Sequence, residues 1–307
     1  MTRDNYNCVI IGAGKISHSI TPALLKSGFN ISQVISRKIS SAKKLANQNK
    51  IRNYSDSLKN ISKDVNVFLL TVPDGEIRKV ANDLAKTRND FSDCFAIHFS
   101  GVETIDALIS LKKKGCKTGS LHIIRPFPSK NKVDLKNSPA SIESDNKQAL
   151  DFLIQLCKKI KLKPHRISSG NKVLQHLAAV HSSNFLVGNL FTAFSLISSK
   201  NILPKSILKE TTQSALNNIF KLSPSKALSG PVDRGDIFAV KKHIEAIDNK
   251  INNSKKKNET LLLKISYIIQ SLNLLKVAKE KYGMLSKDHL QIEKYLKKEL
   301  KDSKTRL

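Results

Sequence analysis

The sequence predicts an α/β chain in two parts: a mainly parallel sheet with helices packed on it over residues 1–168, then an all-helical part over 169–307. Three observations lead there. Short runs rich in Val, Ile and Phe alternate with amphipathic segments as far as residue 168. Beyond that point only helical periodicity continues. Finally, Val9-Ile10-Ile11-Gly12-Ala13-Gly14 sets two glycines at the junction between the first apolar run and the first helical pattern. With 307 residues, 40% of them apolar, the chain is long enough for two domains, each with a core of its own.

Taken in order, the candidate strands are residues 6–11, 31–36, 65–72, 95–99 and 120–124, all of strand length and most of them β-branched or aromatic. Amphipathic segments at 41–48, 76–86 and 104–114 lie between them. Alternation of this kind builds βαβ units, and βαβ units build a parallel sheet. A helix at 146–160 and a last strand at 163–167 close the first part. Residues 172–199 then read as one long apolar helix, followed by helices at 204–222, 235–250, 258–281 and 287–302, with Pro204, Pro224 and Pro231 as breaks. The final helix is mostly charge on a thin apolar stripe, and the polar run at 252–259 reads as a loop.

Composition narrows the function classes. No run of about 18 apolar residues stands out, and residues 1–7 lack the apolar stretch of a secretory signal, so a cytoplasmic protein with no membrane partner is expected. Cys8, Cys94, Cys116 and Cys157 form no CxxC pair, which argues against a zinc site or a disulfide framework; no metal is expected. The net charge of +28 raises nucleic acid as a partner. Its lysines, however, are spread in ones to threes along the chain with no interleaved aromatics to stack bases. The expectation is a solvated basic surface, with nonspecific attraction to polyanions and a field that draws in small anions.

Gly12 and Gly14 follow a strand and precede a helix, the context in which a dinucleotide fingerprint works. The first glycine makes the turn and the second lets the backbone approach a pyrophosphate. Ala13, Lys15 and Ile16 lead into a helix start whose N–H groups and dipole favour negative charge. Ser17 stands where a third glycine is usual, and Pro22 lies inside the helix, at a cost of about 3 kcal/mol and a kink. The second strand ends Val34-Ile35-Ser36-Arg37-Lys38, with no Asp or Glu for a ribose 2′-hydroxyl. Ser36 and Arg37 suit a 2′-phosphate instead, so NADP is expected in preference to NAD. A plain structural turn and ordinary surface cations are the alternative readings.

The motifs GAGKIS, ISRKISSAKKLA, TVPDGEI, HFSGVETI, LHIIRPFPS, LAAVHSSNFLV and SGPVDRGD, in this order, resemble a group of Rossmann-like oxidoreductases whose C-terminal half was long catalogued as a domain of unknown function. These are similar to pyrroline-5-carboxylate reductase, ketopantoate reductase and the wider 6-phosphogluconate dehydrogenase superfamily. The likeness covers roughly residues 5 to 285. It implies a Rossmann-type NAD(P)-binding sheet domain, a helical C-terminal domain used for dimerisation, hence a homodimer, and an active site in the cleft between them. It also places Val72, Pro73 and Ser100 on the cofactor side. His122 and Arg125 fall on the substrate side, although the usual His-Pro-Leu appears here as His122-Ile123-Ile124.

For chemistry, His176, Val180 and Asn184 are spaced i, i+4, i+8 on one predicted helix face. In ketopantoate reductase and its relatives a lysine and asparagines occupy a comparable helix. The resemblance therefore suggests His176 as proton donor and Asn184 as a carbonyl-orienting donor, with histidine departing from the usual lysine. Imidazoles titrate in the range that acid–base work near neutrality needs. His122 is an alternative acid, and a structural histidine at a domain interface is the competing reading for His176. In the Gly230–Asp236 stretch, Gly230 and Pro231 shape a turn, Arg234 is a candidate carboxylate clamp and Asp236 a helix N-cap.

Two function classes stay open. One is an NADPH-dependent reductase of a small carboxylate-bearing carbonyl compound. Its most concrete case is 2-dehydropantoate (ketopantoate) to pantoate, and its rival is reduction of a cyclic imine such as pyrroline-5-carboxylate. The other is a nucleotide-binding or sensing protein that has the fold without the catalysis.

Overall fold

Along β1 (Asn7–Ile11) the pleat sends Cys8 and Ile10 to one side and Val9 and Ile11 to the other, and all four are buried. A strand buried on both faces needs helices on both faces, and that requirement organises the first half of the molecule. The computed structural model describes residues 6–198, 205–253 and 257–305. After β1 come α1 (Ser17–Lys26), β2 (Asn30–Ile35), α2 (Ile39–Gln48), β3 (Asn53–Ser55), β4 (Val67–Leu70), α3 (Ile77–Ala85) and β5 (Phe95–His98). The chain continues through α4 (Ile109–Lys112), β6 (Lys117–Ile123), β7 (Pro139–Glu143), α5 (Lys147–Lys159), β8 (Lys163–Arg166) and α6 (Ser169–Ala179).

The eight strands lie in the order β3-β2-β1-β4-β5-β6-β7-β8. β1 to β6 are parallel, β7 runs antiparallel to β6, and β8 is parallel to β7. One core, with Ile10, Leu24, Leu69 and Phe152, lies on one face; the other, with Val9, Phe68, Leu84 and Leu108, lies on the opposite face. This is the expected Rossmann-type sheet. Strand order turns at β1 and β4, so a crevice opens at their carboxyl ends, where such sheets take ligands.

Three details depart from the sequence-based expectation. β3 and β7 were not foreseen: one is only three residues long and the other starts at a proline. The segment at 104–114 splits into a tight turn at Ile105–Leu108 and the short α4. The long helix at 172–199 is α6, a π turn at Val180–Asn184, and α7 (Phe185–Ser198).

The chain divides into two units, Met1–Leu186 and Val187–Leu307, rather than at 168/169. α6 stays with the sheet because Lys172 reaches into it, as described below.

The second unit contains most of α7, then α8 (Lys205–Leu222), α9 (Pro224–Ala227), α10 (Pro231–Arg234), α11 (Ile237–Asn252), α12 (Lys257–Tyr282) and α13 (Lys287–Lys304). Its core is Val232, Val240, Ile244, Ile268, Leu275, Ile292 and Leu296. Contrary to the composition reading, residues Asn258–Tyr282 are long and apolar enough by themselves to cross a bilayer. They instead bury Leu261, Ile268 and Leu275, and Lys264 forms ion pairs with Asp248 and Glu299. That is one face of the helix in the core, while Leu262 and Ile269 on it are exposed.

Candidate active site

Gly12 has φ +112°, and its N–H donates to the Ile35 carbonyl at 2.7 Å. A Cβ there would stand 2.7 Å from the Thr71 carbonyl carbon, so only glycine fits. Thr71 Oγ1 donates to the Gly12 carbonyl at 2.8 Å and fastens the turn to the end of β4. Gly14 is different: a Cβ there would meet only the Thr71 oxygen, at 3.4 Å. Its missing side chain leaves space for something else.

Ser17, in place of a third glycine, is fully buried and donates from Oγ to the Gly14 carbonyl at 2.6 Å, closing the loop onto α1. Among the described residues no side chain caps α1, which leaves the N–H groups of its first turn open. α1 also runs through Pro22.

A cleft of about 720 Å³ opens over this turn, lined by Gly12, Ala13, Gly14, Ser36, Arg37, Val72 and Pro73. Lys15 and Ile16, expected among them, do not line it: Lys15 is exposed and Ile16 packs on the core. Glu76 lies 3.4 Å from Arg37 and also lines the cleft. The sequence showed no carboxylate beside Arg37, and the fold brings one from the turn after β4.

Ser100 is a second correction. It is buried, and its hydroxyl oxygen accepts the Val102 and Glu103 N–H groups, so it shapes its own loop instead of facing the cleft. His98 does the same from the strand end. Its Nε2 contacts the Thr104 carbonyl, which can only accept, and its Nδ1 contacts the Ser100 N–H, which can only donate. The Nε2–H tautomer is therefore the one that satisfies both. Burial, with the Lys172 charge adding to it, pushes His98 down to about 3.

The chemistry-bearing groups meet at Gly101. A Cβ on this residue would fall 2.6 Å from His176 Nδ1 and 2.8 Å from His122 Nε2. The two imidazoles stand edge to face, with ring centroids 5.5 Å apart. Nδ1 of each ring is buried with no hydrogen-bond partner among the described residues. Burial, then His176 and Lys172, pushes His122 down to about 4. Both histidines singled out in the sequence are thus brought together, by β6 and α6.

Asn184 lies on the π turn, where the Phe185 N–H reaches back to the Val180 carbonyl. The Asn184 side chain is exposed and accepts from Ser183 Oγ at 3.0 Å.

Arg125 is not part of this group. It is exposed and donates to Ser138 Oγ at 3.3 Å, turned to the loop before β7.

Buried neutral histidines make stability depend on acid. The unfolded chain binds protons at His98 and His122 near pH 6.5, whereas the folded chain resists until about 3 and about 4. Their contribution is full above pH 6.5 and is lost as pH falls through that window. A thermal melt series should show Tm falling steadily between pH 6.5 and 4. His98→Asn, although less stable overall, should show a shallower slope; an unchanged slope would remove His98 from the account.

Gly230, Pro231 and Arg234 belong to the second unit. There Asp233, not Arg234, is the buried member, accepting from Lys281 Nζ at 2.9 Å and from the Tyr282 hydroxyl at 3.1 Å. His289 Nε2 lies 3.0 Å from the Asp233 carbonyl. Asp236 caps α11 through the Ala239 N–H at 3.0 Å, as expected. Arg234 is exposed. Asp233→Asn should lower the Tm of this unit by several degrees, while Arg234→Ala leaves it unmoved. Equal effects in calorimetry would contradict the assignment.

Family models match two stretches, a Rossmann-like domain over residues 2–123 and a domain of unknown function, DUF2520, over 138–258. Each match covers less than half of the chain, one on either side of the loop before β7. The junction falls inside the sheet unit: Gly101 and His122 come from the Rossmann-like stretch, while Glu143, Lys172 and His176 come from the DUF2520 stretch. No curated protein matches the sequence.

Among solved structures, the chain is similar to a Bacteroides fragilis protein provisionally assigned as an NADP oxidoreductase (22% identity, TM-score 0.70, covering 84% of this chain and 96% of that one). It is also similar to prephenate dehydrogenase from Aquifex aeolicus in complex with hydroxyphenyl propionate and NAD+ (16%, 0.58, 98% and 99%). An imine reductase from Aspergillus terreus shares the fold too (11%, 0.55, 97% and 94%). At these identities the likeness shows the fold.

Proposed function

We propose that this Rossmann-like/DUF2520 chain is an NADP(H)-dependent oxidoreductase that reduces a C=O or C=N bond in a small, carboxylate-bearing substrate. The observation that carries the reading is the meeting of His122 and His176 at Gly101, each with a buried Nδ1 that has no partner among the described residues, on the same strand-end edge as the Gly12–Gly14 cleft. Buried polar atoms of this kind call for a partner. Three features of the cleft suit a dinucleotide: an open glycine at Gly14, a helix start without a side-chain cap for a pyrophosphate, and Ser36 with Arg37 for a 2′-phosphate. When bound, NADPH supplies the hydride. His176 holds the proton that the reduced oxygen or nitrogen takes up. His122, kept neutral by burial, packs edge to face against it and limits where its ring can sit.

2-Dehydropantoate is one concrete substrate and a cyclic imine carboxylate the other; the likeness to an imine reductase supports including the second. A homodimer belongs to the same proposal, because Val187, Phe191, Phe220 and Phe238 of the helical unit are each at least 70% exposed.

The test is NADPH oxidation against a panel of 2-oxo acids, 2-dehydropantoate included, and cyclic imines. Turnover on one class names the substrate. Tight NADPH binding with no turnover on any would favour the nucleotide-sensing alternative.

A further inference from the structure

Beneath the two imidazoles lies a buried ion pair. Lys172 side-chain atoms are 0% exposed and those of Glu143 4%. Lys172 Nζ donates to Glu143 Oε2 at 3.0 Å and to Ser120 Oγ at 2.5 Å. Glu143 Oε1 takes Ser169 Oγ at 2.5 Å and the Ile105 N–H at 3.4 Å. Ser120 Oγ also donates to Glu143 Oε2, at 3.1 Å. The pair therefore joins β6, β7, the start of α6 and the loop that follows Gly101.

Its place in the two periodicities is informative. Lys172 precedes His176 by four residues, one turn down the same face of α6, and Ser120 precedes His122 by two, on the same face of β6. Glu143 is the register partner of Ser120 on β7. Helix and strand are thus joined by two rungs, Lys172 on Ser120 below and His176 on His122 above. An apolar rung would hold the helix as firmly, since buried ion pairs are often no more stabilising than the hydrophobic residues that could replace them.

We propose that Lys172 and Glu143 are positioning residues for the His122–His176 pair: they lock α6 at the one register that seats His176 against His122, and they fix a cation beneath the two rings. The inference rests on the proposed oxidoreductase reading for its effect on turnover, but not for its effect on the histidines. The charged and titratable groups around His122 are His176 and Lys172 from α6, Asp74 from the turn after β4 and His165 from β8. Of these, Lys172 is the buried cation. Burial lowers the Lys172 ammonium against the pull of Glu143. Burial also raises Glu143, but the Ser169 hydrogen bond and the Lys172 charge outweigh it and hold the carboxyl below its usual range. Lys172 and Glu143 stand 3.0 Å apart as an ion pair, and the Lys172 charge acts on His122.

The test uses the full chain with Glu143→Gln/Lys172→Met, which removes both charges and leaves neither partner stranded, beside Lys172→Arg, which keeps the cation. NMR titration of the histidine side chains needs no substrate. The double variant should raise the His122 midpoint by ~0.5 unit or more through loss of the neighbouring cation. NADPH affinity should stay within about twofold, and kcat should fall at least tenfold with KM less affected. Lys172→Arg should keep the wild-type His122 midpoint. An unmoved midpoint in the double variant, or one that moves equally in Lys172→Arg, overturns the proposal. If the double variant does not fold, Lys172→Arg decides it alone, supporting the proposal when the midpoint is kept and overturning it when it rises. Failure of wild type to bind NADPH would instead count against the oxidoreductase reading and leave the histidine result standing.

Discussion

Gly101→Ala should abolish most turnover while leaving a folded, cofactor-binding protein. The added methyl would sit 2.6 Å from His176 Nδ1 and 2.8 Å from His122 Nε2, inside the contact distance of both rings. Each ring is the far end of a rotatable side chain, so the conflict is relieved by swinging the imidazoles apart and the backbone need not yield. The fold survives and the spacing does not. Displacement of about 1 Å at a reacting group is enough to cost on the order of 10²-fold, so kcat should fall by that much or more. Tm should stay within a few degrees of wild type, and NADPH affinity should be unchanged. Wild-type kcat in this variant would show that the two imidazoles do not act together.

The two glycines of the first turn should separate structure from ligand binding. At Gly12 a side chain would require a backbone conformation that L-residues rarely adopt, φ +112°, and would press on the Thr71 main chain at 2.7 Å. Main chain cannot step aside as a side chain does. Gly12→Ala should therefore destabilise the sheet unit by roughly 2–4 kcal/mol. Gly14→Ala meets one oxygen at 3.4 Å with no positive φ to satisfy, and should change stability by no more than ~0.5 kcal/mol. Its methyl would occupy the space the pyrophosphate needs, so NADPH should bind at least tenfold more weakly, about 1.4 kcal/mol. Chemical denaturation and calorimetric titration of the pair check both halves. If Gly14→Ala bound NADPH like wild type, the turn would be structural only.

What was legible beforehand followed from periodicity and from local motifs. The alternation of β-branched runs with amphipathic segments predicted every strand of the sheet except β3 and β7, and Gly12 and Gly14 fall in the turn between β1 and α1 because strand, turn and helix start are contiguous. His122 and His176 were recognised separately, but their meeting required the pairing of α6 with β6, which no local pattern states. Glu143 and Lys172 were missed for a compositional reason: among 53 Lys and Arg residues, one buried lysine carries no distinguishing signal. The available clue was the matched offset, four residues before His176 on a helix and two before His122 on a strand. Glu76 was missed because it approaches Arg37 from another loop. Ser100 and Arg125 were assigned by position in a motif, and their side chains bond within their own loops, Ser100 buried and Arg125 exposed. The placing of α6 in the first unit was not legible because its periodicity looks like that of the helical unit, while Lys172 bonds to the sheet.

Calorimetric titration of NADPH and NADH into the same protein at fixed, moderate salt tests the central claim most directly. Salt must be held constant because the surface charge attracts any phosphate. Ser36 and Arg37 should favour the 2′-phosphate, but Glu76 holds Arg37 in the free protein and must release it, so part of the charged hydrogen-bond energy is offset. The account predicts NADPH binding about tenfold tighter than NADH, with Arg37→Ala removing most of the difference and leaving NADH affinity nearly unchanged. Equal affinities in the wild type, or binding of neither cofactor, would contradict it.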